Sequence, residues 1–152
     1  MLTTRIRDDA IRIGPHRAVS FQRTLRIPDD DGVYPLPPGL GRFPLRRLRG
    51  LGIAVPMYRR EALWVSFGGA WWRPSAVKIA VGGVNAITGE PLEDQIRPGR
   101  QDYVVCPEQP WLDGINAGDG FIRQLWPRRW ARASRWRASS PGWRSAVGCK
   151  SW

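Results

Sequence analysis

The chain has 152 residues, the length of one domain with a core of its own, and a formal net charge of +11. The charge is uneven: residues 125–152 hold six Arg, one Lys and no acidic residue, whereas residues 1–124 hold 17 basic and 13 acidic residues. No stretch approaches the roughly 20 apolar residues of a membrane-spanning helix, and the N-terminus has acids where a signal peptide has its apolar region. One histidine and two cysteines, Cys106 and Cys149, exclude a histidine zinc cluster and a readable disulfide framework. We therefore expect a cytoplasmic protein with no metal, no cofactor and no membrane span.

The first predicted strand runs from Val19 to Ile27, where apolar and polar residues alternate with the period of two of a half-buried strand. Its apolar face is interrupted only by Arg23. Residues 1–13 are short and charged, which indicates a frayed end or an edge strand. An Asp-Asp-Asp-Gly run, typical of a turn, closes the predicted strand.

The next segment, residues 33–45, contains four prolines, which exclude a central strand and a helix interior. Its apolar side chains predict a loop that packs onto the core. The arginines that follow it are typical of a solvated face; they are Arg46, Arg47 and Arg49.

Further alternating segments predict strands at 63–67, 77–81 and 103–105, and a Gly/Asp-rich loop at 111–120. Short strands with frequent turns predict a mainly β or α+β fold, a partial antiparallel sheet with long Pro/Gly-rich loops. We assign this incomplete domain to residues 1–124 and expect residues 125–152 to be a tail without a native fold.

Asp113 and Asp119 are the best catalytic candidates, because two carboxyl groups brought together on one loop can make one of them a general acid with a raised pKa. Glu61 is the third carboxyl of this hypothesis. The alternative is that the two aspartates form turns beside Gly114 and Gly120. Cys106 would have only His16 as a catalytic partner, so we interpret it as a structural thiol.

Aromatic and basic side chains suggest a ligand cleft, although aromatic residues are more often part of a core. The candidate ligand-binding residues are Trp64, Trp71, Trp72, Arg73, Lys78 and Trp111.

The tail has two interpretations. It is either a genuine Trp/Arg-rich segment that binds nucleic acid or an anionic membrane surface, or GC-rich DNA translated in a wrong frame. To test the second interpretation, we shift the reading frame so that each codon starts at the third base of a tail codon, with GC-leaning choices for the free bases. The shifted translation is VAAPLGAGFTVEGQLTGMEERGGLQIL. It contains acidic residues and an alternation typical of a strand. The hypothesis we favour is one lost base near codon 125, which resequencing codons 120–130 tests.

Four segments together resemble a family of uncharacterised bacterial proteins: SFQRTLRIPDDDGVYPLPPGLGRFPL, MYRREALWVSF, AVKIAVGGVNAITGEP and QDYVVCPEQPWLDGINAGDGFIRQ. The resemblance covers residues 19–124 and implies a continuation similar to VAMPLGxGYTVExQxTGxE, close to the shifted translation. It implies no activity. The chain departs from the family in having WWRPSAVK where members have YWHPHALK, and in a shorter segment between Leu48 and Ile53.

We therefore predict a copy of such a protein, truncated by a frameshift, whose function is non-catalytic binding or interaction with an unknown protein partner or a second copy of itself. The first alternative is an enzyme that uses the carboxyl groups named above. The second is a nucleic-acid or anionic-membrane binder, which applies only if the tail is genuine.

Overall fold

The computed structural model describes residues 3–28, 30, 32–50, 52–96, 99–118 and 120–127. These residues form strands and connecting segments, and none of them is in a helix. The fold is therefore mainly β, as predicted, and the α+β alternative finds no helix in the described ranges. The strands are β1 (Thr4–Arg7), β2 (Ala10–Ile13), β3 (Arg17–Leu25), β4 (Arg46–Leu48), β5 (Gly52–Ala54), β6 (Glu61–Gly69), β7 (Ser75–Val77), β8 (Ala80–Val81), β9 (Val84–Asn85), β10 (Val104–Cys106), β11 (Trp111–Leu112), β12 (Gly114–Gly118) and β13 (Phe121–Gln124).

The central element is a five-stranded antiparallel sheet in the order β1-β2-β3-β6-β11. Strands β3 and β6 pair along their whole length, from Arg17 opposite Gly69 to Leu25 opposite Glu61. The predicted strand at 63–67 lies inside β6, and the one at 19–27 corresponds to β3, which ends at Leu25 instead of Ile27. The N-terminal segment forms a hairpin with β1 at the sheet edge, so the edge-strand alternative is correct.

One face of this sheet, which we call the inner face, carries the hydrophobic core. Val19, Val65 and Phe67 on it are 5 to 6% exposed. Strands β7 and β10 pair with each other and bring further aliphatic side chains to the same core. These are Val77 and Val104; Cys106 of β10 and Ile79, between β7 and β8, are buried in the same core. Burial of the alternate residues on each strand explains the period of two in the sequence.

The Pro-rich loop at 33–45 packs as predicted, because Phe43 and Leu45 are buried. Its backbone also extends the sheet: Phe43 donates to the carbonyl of Phe21 at 2.8 Å, and Gln22 forms an antiparallel bridge with Arg42. Thr24, which is 1% exposed, donates its hydroxyl to two proline carbonyls of this loop. The loop therefore continues the β2 edge of β3 with few regular hydrogen bonds.

Two sequence expectations are wrong in detail. The segment 77–81 is not one strand, because β7 ends at Val77 and β8 begins at Ala80 to pair with β9. The segment 111–120 is not a loop: Trp111 and Leu112 pair with β6, and the chain then leaves that edge to form the hairpin β12–β13. Leu125 returns to β6 and accepts a hydrogen bond from Leu63 at 2.8 Å. Asn and Gly residues are compatible with this hairpin, because β12 has a bulge between Asn116 and Gly118.

Candidate functional site

Asp113 lies at the point where the chain leaves the central sheet. Leu112 before it pairs with Val65 of β6, and Gly114 after it opens the projecting hairpin. Gly114 is required there, because a Cβ at this position would lie 2.1 Å from the carbonyl oxygen of Arg123. The close approach of the two hairpin strands therefore fixes the backbone on both sides of the Asp113 carboxyl group.

A groove with a volume of about 250 Å³ opens between this hairpin and the turn after β9. Single water molecules need about 10–15 Å³ on this scale, so the groove is large enough for a small organic molecule. Its lining is mainly apolar, with one carboxyl and one amide side chain. The lining residues are Ala86, Ile87, Leu112, Asp113, Gly114, Asn116, Gly120, Phe121 and Ile122.

Asn116 holds the two walls of the groove together. Its backbone N–H donates to the carbonyl of Ala86 and its side-chain amide donates to the carbonyl of Ile87, both at 2.9 Å. Asn85, which is 1% exposed, shapes the opposite wall by accepting hydrogen bonds from the backbone N–H groups of Ile87 and Thr88. The groove is therefore formed by hydrogen bonds that do not depend on a ligand.

The carboxyl group of Asp113 is the unusual chemical feature of the groove. Its Oδ1 atom is buried and has no hydrogen-bond partner. Burial raises the pKa of Asp113 above its ordinary value, because the ionised form loses solvation. A buried carboxylate oxygen without a donor is destabilising for the fold, and such groups are enriched at functional sites.

Of the three catalytic candidates, the structure describes Asp113 and Glu61, and it does not bring these two together. Asp119 lies outside the described residues. Glu61 is four residues along β6 from Val65, the partner of Leu112, a distance of about 13 Å along the strand. The Glu61 carboxylate also has local partners: it lies 3.1 Å from the guanidinium of Arg23 and accepts from the backbone N–H of Tyr58 at 2.7 Å. The Glu61 side chain therefore makes local contacts at the first residue of β6 and does not line the groove.

The predicted ligand-binding residues separate into three places, none of them in the groove. Lys78 is largely buried, and its ammonium group donates to Asp102 and to the carbonyls of Glu93 and Gln95 at 2.5 to 2.8 Å. Three acceptors match the three protons of an ammonium group, so Lys78 has a structural arrangement.

The tryptophans form two separate pairs. Trp71 and Trp72 meet edge to face at 5.8 Å in the turn after β6, where both are exposed and Arg73 is exposed beside them. Trp64 and Trp111 lie on the face of the central sheet opposite the core, with ring centroids 6.5 Å apart. We call that face the outer face.

Sequence reasoning identified Asp113 but missed the opposite wall of its groove. Ile87 and Asn116 are far apart in the chain, and no local sequence motif predicts their contact. Asn85 was the one available signal, because an Asn side chain often closes a turn by accepting from the backbone N–H two residues on, as it does here from Ile87.

Comparisons with protein-family models, with curated proteins and with solved structures gave no match. Among the described residues, no group of His, Cys, Asp and Glu side chains is placed to hold a metal ion. The same part of the chain contains no helix long and apolar enough to cross a membrane.

Proposed function

We propose that the protein is a non-catalytic binding module that holds a small, largely apolar molecule in the groove beside Asp113. The observation that carries the proposal is the buried Asp113 oxygen without a donor at the edge of an apolar groove. Binding sites of small molecules are typically apolar concavities with a few fixed polar groups. A ligand with an apolar ring and one N–H or O–H donor matches this combination.

The walls of the groove favour a planar ring. Ile87 and Ile122 supply aliphatic surface, and Phe121, which is 64% exposed, supplies an aromatic side chain at the mouth. Burial of these side chains by a ligand would add to its affinity at about 25 cal/mol per Å² of apolar surface. The carboxyl of Asp113 then selects for a hydrogen-bond donor on the ligand.

The test uses indole and N-methylindole, two probes that share the ring system while only indole has an N–H donor. We expect chemical shift changes in the backbone amides of Ile87, Gly114 and Asn116 on adding indole, and weaker changes with N-methylindole. Asp113→Asn should reduce the preference for indole, since an amide is a weaker acceptor than a carboxylate. Glu108→Gln, an exposed carboxyl outside the groove, is the matched control. Equal binding of both probes, or shifts confined to other regions, would refute the proposal.

An acid–base enzyme is the second candidate, and the raised pKa of Asp113 is the observation in its favour. The described lining of the groove contains no other titratable side chain, so catalysis would require Asp119 in addition. In that case Asp113→Asn and Asp119→Asn would each abolish turnover of a bound ester or glycoside substrate. A binding module would show no turnover in the unmodified protein or in either variant.

A further inference from the structure

The outer face of the central sheet carries a row of side chains that crosses all five strands. Antiparallel register places residues of neighbouring strands directly opposite each other, on the same face of the sheet. The row runs from β1 to β11 as Arg7, Ala10, Ser20, Ser66 and Trp111. Four strand spacings of about 4.8 Å make this row about 19 Å long.

Arginines occupy one end of the outer face. Beside the first row, a second row places Arg5 opposite Arg12, followed by Ala18 and Gly68. Arg42 joins the same side, because it is paired with Gln22 across the edge of β3.

The arginine cluster has a surplus of positive charge. Two acidic side chains lie close to it: Asp8, 3.5 Å from Arg7 and 4.0 Å from Arg12, and the adjacent Asp9, which accepts from the backbone N–H of Leu45 at 3.3 Å. All four arginines of the cluster are exposed; they are Arg5, Arg7, Arg12 and Arg42. Four guanidinium groups near two carboxylates leave a surplus of positive charge that attracts an anion.

The arrangement of Arg5 and Arg12 is unfavourable for the free protein. Like charges directly opposite each other on an antiparallel pair destabilise a sheet. The two-residue turn at Asp8 and Asp9, both with φ of 52°, fixes the register that brings Arg5 and Arg12 together. A bound anion removes this repulsion.

Tryptophans occupy the other end of the outer face. Trp111 is 52% exposed, and Trp64 lies on the same face one diagonal step away, since Trp111 is paired with Ser66. The far end of the Trp64 ring is pressed against Gly39, where an added Cβ would lie 3.1 Å from the ring. Trp64 is therefore held in place beneath the surface, while Trp111 presents part of its ring to solvent.

Small side chains lie between the two ends. Ala18, Ser20 and Ser66 do not rise far above the backbone, and Gly68 has no side chain. The centre of the outer face is therefore low, and parts of it are covered: Ala10 and Ser20 are only 3% and 6% exposed, and Gln22 donates its side-chain amide to the Ser20 hydroxyl at 3.1 Å. The accessible part of the centre is at Ser66 and Gly68, with guanidinium groups on one side and indole rings on the other.

From this juxtaposition we propose that the outer face binds single-stranded nucleic acid, with phosphates on the arginine cluster and a base stacked on Trp111. The outer face suits a ligand with repeated negative charges and flat π-systems within about 19 Å, and an oligonucleotide of about five residues has both. Duplex DNA presents the charges but keeps its bases stacked inside, so it does not use the tryptophans. The site is separate from the groove of Asp113, and neither proposal depends on the other.

The test measures binding of a fluorescein-labelled oligothymidylate of about 12 nucleotides to the full chain by anisotropy, over a series of salt concentrations. The variant Arg5→Gln/Arg7→Gln/Arg12→Gln removes three charges from the outer face. Its matched control, Arg47→Gln/Arg59→Gln/Arg73→Gln, removes three charges from exposed positions elsewhere. The tail is present in both, so its own basic residues cancel from the comparison.

We expect the outer-face variant to lose at least ten-fold in affinity, and the slope of log K against log salt to become shallower by about 2, since each single-strand phosphate contact contributes about 0.7. The control should change neither quantity appreciably. Trp111→Leu should lower the affinity on the order of ten-fold with an unchanged salt slope, because stacking is not ionic. Thermal melts of all variants check that they remain folded.

Several outcomes would overturn the proposal. Equal losses in the two triple variants would show attraction by net charge alone, and no loss in either would place binding on the tail. Equal affinity for a duplex of the same length, or for polyglutamate, would show that stacking plays no part. Trp111→Leu with unchanged affinity would have the same meaning.

Discussion

The two faces of the central sheet are built from the same strands and have opposite compositions. On the inner face, Val19, Val65 and Phe67 are almost fully buried. On the outer face, one residue further along the same strands, small residues lie between exposed arginines and Trp111. Alternation along each strand sorts side chains between the faces, but the chemistry of a face arises only when the register aligns several strands.

The difference shows where stability and binding are located. Removing inner-face side chains leaves cavities in a close-packed core. On the outer face, Trp111 and the arginines have solvent on one side, whereas Ser20 and Thr24 are buried. The outer face also carries opposed like charges that a sheet selected only for stability would avoid. The groove of Asp113 lies where the chain ends its pairing with β6. At that point a carboxyl oxygen is buried instead of exposed.

The largest expected effect separates the two faces directly. Phe67→Ala should destabilise the protein by about 3–5 kcal/mol, because Phe67 is 6% exposed and its loss leaves a cavity. Trp111→Ala, the matched aromatic deletion on the outer face, should lower stability by about 1 kcal/mol or less, as for most exposed positions. Urea unfolding followed by circular dichroism measures both. Equal losses would mean that the outer face is part of the core.

A smaller effect is expected at the groove, and it depends on pH. Burial raises the pKa of Asp113 in the folded protein above its ordinary value of 3.8. The folded state therefore holds this proton more tightly than the unfolded state does. The stability contributed by protonated Asp113 is fully present below pH 3.8 and is lost as the pH rises through the raised pKa.

Asp113→Asn removes this ionisation and should raise the melting temperature by a few degrees at pH 7. The gain over the unmodified protein should shrink as the pH falls toward the ordinary pKa of an aspartate. Glu108→Gln controls for the loss of one negative charge. A lower melting temperature for Asp113→Asn at pH 7 would show that the ionised carboxylate has a stabilising partner after all.

The regular part of this fold was predictable from the sequence. Strands β3 and β6 show the period of two along most of their length, and four prolines correctly excluded a regular strand from the loop at 33–45. Arg23 interrupts the apolar face, and its guanidinium lies 4.8 Å from the centre of the Phe43 ring and 3.1 Å from the Glu61 carboxylate. A long side chain can thus place its charged end beside an opposite charge at the margin of a core.

The long-range part was not predictable. Gly-rich composition predicted a loop at 111–120, but glycine also suits closely approaching strands, as the contact of Gly114 with Arg123 shows. The groove combines this hairpin with Ile87, which a single sequence cannot bring together with it. The arginine cluster likewise requires the registers of β1, β2 and the edge of β3, none of which composition encodes.

The smallest effect concerns the opposed arginines. Arg12→Gln removes the repulsion with Arg5 and also an exposed pair with Asp8 at 4.0 Å, and such a pair contributes little. We expect a net stabilisation of a few tenths of a kcal/mol at low salt that disappears at about 1 M salt, where charges are screened beyond about 3 Å. Arg47→Gln, an exposed arginine of β4 that is paired with Ile53, is the control for net charge. Destabilisation by Arg12→Gln would mean that the attraction between Arg12 and Asp8 outweighs the repulsion between Arg12 and Arg5. The outer face would then lack the excess positive charge that an anionic ligand requires.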